Sequence, residues 1–96
     1  MERAELAVET ITIDIRKAEY ILREHDVRTT DVAEVHANRP RYFIRSVPAG
    51  LYNMIGPNLR GRFLVAGIMH VVGDEWRLIT AYWNTDGRAE EIYIEG

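Results

Sequence analysis

Ninety-six residues with 15 acidic and 12 basic side chains, a net charge of −3, make one domain, since compact domains run from roughly 50 to 250 residues. Apolar residues at 47% and charged residues at 28% place the chain among globular proteins and away from disorder. With no cysteine, a disulfide framework and any thiolate nucleophile or metal ligand are excluded, and the acidic balance runs against the basic surplus of nucleic-acid binders without excluding a local patch.

Thr10-Ile11-Thr12-Ile13 alternates polar and apolar like a short strand. From Asp14, a capping residue, the period becomes helical. Ile15, Ala18, Leu22 and His25 share a face with Ile21 beside them, and the spacing predicts a helix over 14–25. Asp26 to Thr30 breaks the pattern. Asp31-Val32-Ala33-Glu34 then has the acid spacing of a capping box, and Val32, Val35 and His36 make the apolar face of a helix over 31–37 that Pro40 cannot extend.

Residues 41–47 alternate as a strand near a sheet edge, Pro48-Ala49-Gly50 turns the chain, and 51–55 returns as a hairpin partner. Residues 62–72 are the most apolar segment, which predicts a central strand covered on both faces. Gly73-Asp74 turns into an antiparallel strand over 75–82, where Trp76, Leu78, Thr80 and Tyr82 are expected on one face and Arg77, Ile79 and Ala81 on the other. Residues 88–94 form a short terminal helix or edge strand. The fold class expected is α+β: two N-terminal helices on a roughly four-stranded antiparallel sheet with a short C-terminal element.

The longest apolar run, Phe63 to Met69, is far shorter than the roughly 20 residues that span a membrane. The opening Met1-Glu2-Arg3-Ala4-Glu5-Leu6 lacks a basic region followed by an apolar core. A cytoplasmic protein without membrane contact is expected.

No phosphate-binding glycine loop, zincin pair or nucleophile elbow is present. His25, His36 and His70 are dispersed over two helices and a strand, so no metal site and no cofactor are expected. His25 ends the first helix, where an imidazolium suits the macrodipole. His70, inside the apolar strand, reads either as a hydrogen-bonded core residue or as a titrating group on a concave surface.

Arginines are the candidates for chemistry. The nine residues from Arg39 to Val47 hold three arginines and no acid, and Arg60, Arg62 and Arg77 follow, while acids concentrate in 1–34 and 86–95. RNA cleavage by attack of the 2′-hydroxyl on its own phosphate needs a base, an acid and fixed cations beside a phosphorane-like charge. Arginines with a carboxylate or tyrosine on a small sheet supply those groups without metal. Arg62 and Arg77 open neighbouring antiparallel strands and so fall toward opposite ends. Solvated strand ends are the plainer reading of all these arginines. Trp76, Tyr82 and Trp83 offer stacking surfaces for bases, with Trp76 better suited to the core and Trp83 to an exposed interface.

Several fragments in order resemble the BrnT-like toxins of bacterial toxin–antitoxin pairs, which have a RelE-like fold. They are His25-Asp26-Val27, Thr30-Asp31-Val32-Ala33-Glu34-Val35, Asn38-Arg39-Pro40, Met54-Ile55-Gly56, Gly61-Arg62-Phe63-Leu64-Val65 and Arg77-Leu78-Ile79-Thr80-Ala81, within about residues 15–93. The resemblance implies one BrnT-like domain over 1–96, a cognate antitoxin as partner, and metal-independent endoribonuclease activity. It places Arg62, Arg77, Tyr82 and Glu90 or Glu91 at the catalytic site, with Tyr93 near the family's terminal tyrosine. Arg41, Arg45, Arg60 and Trp83 are the expected RNA-binding residues.

Where the family carries an arginine after the alanine, this chain has Tyr82. Losing such a transition-state donor typically costs about 2.7–4 kcal/mol. Three readings follow: an RNA-cleaving toxin; a non-catalytic module holding a protein partner or nucleic acid on its sheet face; and a structural subunit that forms a homodimer through an edge strand.

Overall fold

The computed structural model describes residues 3–38, 42–46, 50–85 and 87–88. The elements are β1 (Arg3–Ala4), β2 (Thr10–Thr12), α1 (Ile15–His25), α2 (Thr29–Ala37), β3 (Tyr42–Arg45), β4 (Leu51–Pro57), β5 (Phe63–Val72) and β6 (Glu75–Trp83). They form one sheet in the order β1-β3-β4-β5-β6-β2. The expected antiparallel meander is β3 to β6, five strands have three or more residues, and the two helices pack on one face. The architecture is α+β, as the sequence predicts. The predicted terminal element falls almost entirely on 89–94, outside the described residues.

β2 is the one parallel member, its Thr10, Ile11 and Thr12 lying opposite Glu75, Trp76 and Arg77. The N-terminal approach to it is tied down at two points. Trp76 Nε1 donates to the Ala7 carbonyl at 2.9 Å, and the His36 ring meets the Val8 carbonyl at 2.7 Å. Trp76 is therefore core, with its polar atom satisfied as burial requires.

Asp14 caps α1 by accepting from the Arg16 amide at 2.7 Å. The helix stops at Asp26, whose φ of 53° is left-handed, a conformation that Asp tolerates better than most residues. Its buried side differs from the expected one. Ile21 is fully buried, whereas Ile15 and Leu22 are 74% and 50% exposed. At about 100° per residue, a helix lying along the β6 margin buries little of its surface, here Ile21 with Ala18 and His25 half-buried beside it. α2 begins two residues earlier than predicted, because Asp31 closes the capping box from the third helical position by accepting from the Arg28 amide at 2.9 Å.

Phe43, Met54, Leu64, Ala66, Ile68, Trp76, Leu78 and Ala81 meet Ile21, Val27, Val32 and Val35 in the main core. On the opposite face Ile44, Ile55 and Val65 form a smaller buried cluster with Phe63 against it. β5 is thus buried on both faces from Leu64 to Ile68, but its distal end, His70 to Val72, is exposed, so the expected two-sided cover holds for only part of the strand.

The predicted alternation along β6 fails at one residue. Ile68 faces Leu78 but Gly67 faces Thr80, leaving Ile79 as the extra residue of a β-bulge. A one-residue insertion exchanges the faces of every later side chain. Trp76 and Leu78 therefore share the core side with Ala81 and Trp83, and Tyr82 is turned out of the core and 40% exposed. Gly67 lies beside this bulge, where an added Cβ would stand 3.1 Å from the Thr80 methyl group.

Candidate functional site

The site is built on the β4–β5 connection. Asn58, the sole polar residue buried among those described, accepts from the Arg60 and Arg62 amides at 3.1 and 2.9 Å. Its own amide donates to the Arg62 carbonyl at 2.9 Å. Its side-chain amide donates to Asp31 Oδ1 at 3.3 Å, while Glu34 Oε1 accepts from the Leu59 amide at 2.9 Å. Two carboxylates of α2 thereby hold a loop that presents Arg60 and Arg62 outward. Gly61, at φ 81°, makes the turn possible.

This loop and the α1–α2 connection enclose an open cleft of about 340 Å³, lined among others by Asp26, Arg28, Asn58, Arg60, Arg62 and Trp83. The Arg62 guanidinium lies 4.0 Å from the centre of the Trp83 ring, within the range of a cation–π contact. Trp83 Nε1 donates to the Asp26 carbonyl at 3.0 Å. Trp83 is thus half-buried and fixed by a hydrogen bond rather than freely exposed. An aromatic ring beneath a guanidinium can hold it in place while leaving N–H donors for a ligand.

Of the sequence-predicted residues, Arg60, Arg62 and Trp83 come together here. Arg77 lies toward the far end of β6, opposite Met69, so the separation expected of Arg62 and Arg77 holds. Tyr82 projects toward His25, ring centres 6.2 Å apart. Arg45 also lies at the other end of the sheet, with its guanidinium 5.9 Å from the Tyr52 ring. Arg41, Glu90, Glu91 and Tyr93 fall outside the described residues. The set Arg62, Arg77 and Tyr82 does not converge on one phosphate.

Asp26, Arg28 and Asn58 were not singled out by the sequence. Arg28 and Asp26 sit in a break with no periodicity, and Asn58 follows Gly-Pro like any turn residue. The histidines stay apart: His36 is committed to Val8, and His70, exposed rather than in the core, has its ring 2.8 Å from the Gly73 carbonyl. Among the described residues no three His, Asp or Glu side chains are grouped to hold a metal ion, and no helix is long and apolar enough to cross a membrane.

Chemically, the cleft offers cations for phosphate and, in Arg62 backed by Trp83, a guanidinium on which a base can stack, while Asp31 and Glu34 already accept hydrogen bonds within the loop. No protein-family model matches the chain, and no curated protein matches it.

Proposed function

We propose that this protein is the toxin-type half of a toxin–antitoxin pair, acting in the cytoplasm and engaging single-stranded RNA in the cleft of Arg28, Arg60, Arg62 and Trp83. The observation that carries the reading is the Arg62 guanidinium held 4.0 Å over Trp83 at the rim of an open polar cleft. Arg62 backed by Trp83 would supply a guanidinium face on which a base can stack, and the neighbouring cations would supply the phosphate term. The resemblance to BrnT-like toxins adds the cognate antitoxin as the partner that would silence the cleft.

Metal-independent cleavage is the second reading. It is supported by Asp26 and Arg62 lining the same cleft, a carboxylate that could act as base beside a cation. The dispersal of Arg62, Arg77 and Tyr82 weighs for binding over catalysis.

Inducing the chain alone in cells and following growth and messenger RNA integrity tests the reading, with Arg62→Ala as the control. Growth arrest relieved by Arg62→Ala supports the toxin-type role, and loss of intact RNA assigns cleavage. Normal growth together with no binding of single-stranded RNA by the purified protein refutes it.

A further inference from the structure

The margin between α1 and β6 carries a second set of cations that the cleft does not use. Arg16 and Lys17, in the first turn of α1, face Arg77 and Ile79 of β6 across a groove of about 460 Å³ that Tyr20 also lines. The Lys17 ammonium lies 5.4 Å from the centre of the Tyr20 ring. Among the described residues none of these three cations enters an ion pair. The one acid among the described residues that lines the groove, Asp14, caps the helix through the Arg16 amide.

Groove and cleft are joined by aromatic rings. Tyr20 meets His25 edge-on at 5.7 Å, and His25 lies 6.2 Å from Tyr82. The neighbours of His25 and Tyr82 in sequence, Asp26 and Trp83, are themselves hydrogen-bonded inside the cleft. Tyr20 and Tyr82 are 38% and 40% exposed, so each ring offers open surface. Without the Ile79 bulge, Tyr82 would point into the main core instead.

The geometry points to one continuous track for single-stranded RNA along the α1–β6 margin. Phosphates sit at Arg16, Lys17 and Arg77, bases stack on Tyr20 and Tyr82, and the Arg62–Trp83 cleft holds the other end. This inference rests on the RNA reading of the cleft and extends it to a length and a path. From Arg77 to Trp83 the strand advances roughly 20 Å at about 3.3 Å per residue, so a very short oligonucleotide in the cleft cannot reach the groove. A longer one engages both, and linked contacts multiply affinity.

The test uses fluorescein-labelled 2′-O-methyl oligouridylates, which lack the attacking hydroxyl and survive any cleavage: a trinucleotide, and one of about 12 nucleotides, within the roughly 4–16 that a single-strand-binding module covers. Fluorescence anisotropy is read against salt. The longer probe should bind at least ~10-fold tighter than the trinucleotide. Arg77→Ala should weaken only the longer probe and lower its salt slope by roughly 0.7 for each phosphate that is no longer neutralised. Tyr20→Leu should weaken the longer probe by about 5-fold or more, the loss of one stacked base. Thermal melts confirm that these exposed substitutions leave the fold intact.

Equal binding of both probes, or Arg77→Ala and Tyr20→Leu without effect while Arg62→Ala abolishes binding, overturns the track and leaves the cleft reading standing. Binding of neither probe overturns both. Competition by poly-glutamate as effective as by the oligonucleotide would show that stacking plays no part and replace the RNA track with a groove for acidic protein.

Discussion

Replacing Asn58 with alanine tests whether one buried amide holds the cleft together. The substitution removes the acceptor for the Arg60 and Arg62 amides and the donor to Asp31. A neutral hydrogen bond contributes about 1 kcal/mol net and one to a charged group about 1.5–3. The simple sum is about 3.5–5 kcal/mol, but Arg60 and Arg62 are exposed and water recovers part of their loss. We expect about 2–4 kcal/mol of destabilisation, a large share of the roughly 5–15 kcal/mol that holds a domain together. Urea denaturation followed by tryptophan fluorescence measures it directly, with an unchanged denaturant slope as the sign that only stability moved. In a thermal scan the midpoint should fall by about 10 °C or more, at roughly 4–8 °C per kcal/mol for a chain of this size. Asn58→Asp keeps an oxygen for both amides but sets a second carboxylate against Asp31, so it should recover little of the loss. A cost below about 1 kcal/mol for Asn58→Ala would refute the reasoning, because the loop would then hold its shape without the side chain.

The Arg62–Trp83 stack should show a coupling of about 0.5–1 kcal/mol in a double-mutant cycle of Arg62→Ala and Trp83→Leu read by chemical denaturation; additivity would mean that the stack does not form in solution. Leu64→Ala, at a fully buried β5 position, should cost about 2–5 kcal/mol in the same assay. On α1, Ile21→Glu should unfold the protein while Leu22→Glu stays within about 0.5 kcal/mol of wild type by circular dichroism melts; the reverse order would restore the helix face predicted from the sequence. Gly67→Ala should be destabilising beside the Thr80 methyl at 3.1 Å and should become neutral or stabilising when combined with Thr80→Ser, which removes that methyl.

The meander from β3 to β6 was legible because its signals are local: alternation over 41–47, the continuous apolar run of β5, and Gly73-Asp74 at a turn where Gly73 has φ 57°. Both helices were legible from period and capping residues. The buried row of α1 was not, since Ile15 and Leu22 are as apolar as Ile21 and only the narrow β6 margin selects among them. The parallel pairing of β2 was equally hidden, as it joins Thr10–Thr12 to a strand more than sixty residues away, and three residues carry no signal of partner or direction. The candidate site was half legible. Arg60, Arg62 and Trp83 come from segments whose arginines and aromatics stand out, whereas Asn58, Asp26 and Arg28 acquire their roles only when the β4–β5 loop closes on α2.

The bulge at Ile79 decides how the candidate residues are distributed. Strict alternation would have placed Tyr82 in line with Trp76 and Leu78, facing the helices, and Trp83 on the opposite side. The extra residue reverses this, bringing Trp83 to Asp26 and Arg62 at the cleft and leaving Tyr82 exposed beside His25. Tyr82 thus adds an exposed ring to the α1–β6 margin. On the proposed RNA reading, such a ring would add stacking surface but no fixed positive charge for a developing transition state. Gly67 lies opposite this bulge, where an added Cβ would sit close to the Thr80 methyl. One inserted residue on β6 therefore sets which aromatic faces the cleft and which lies along the seam.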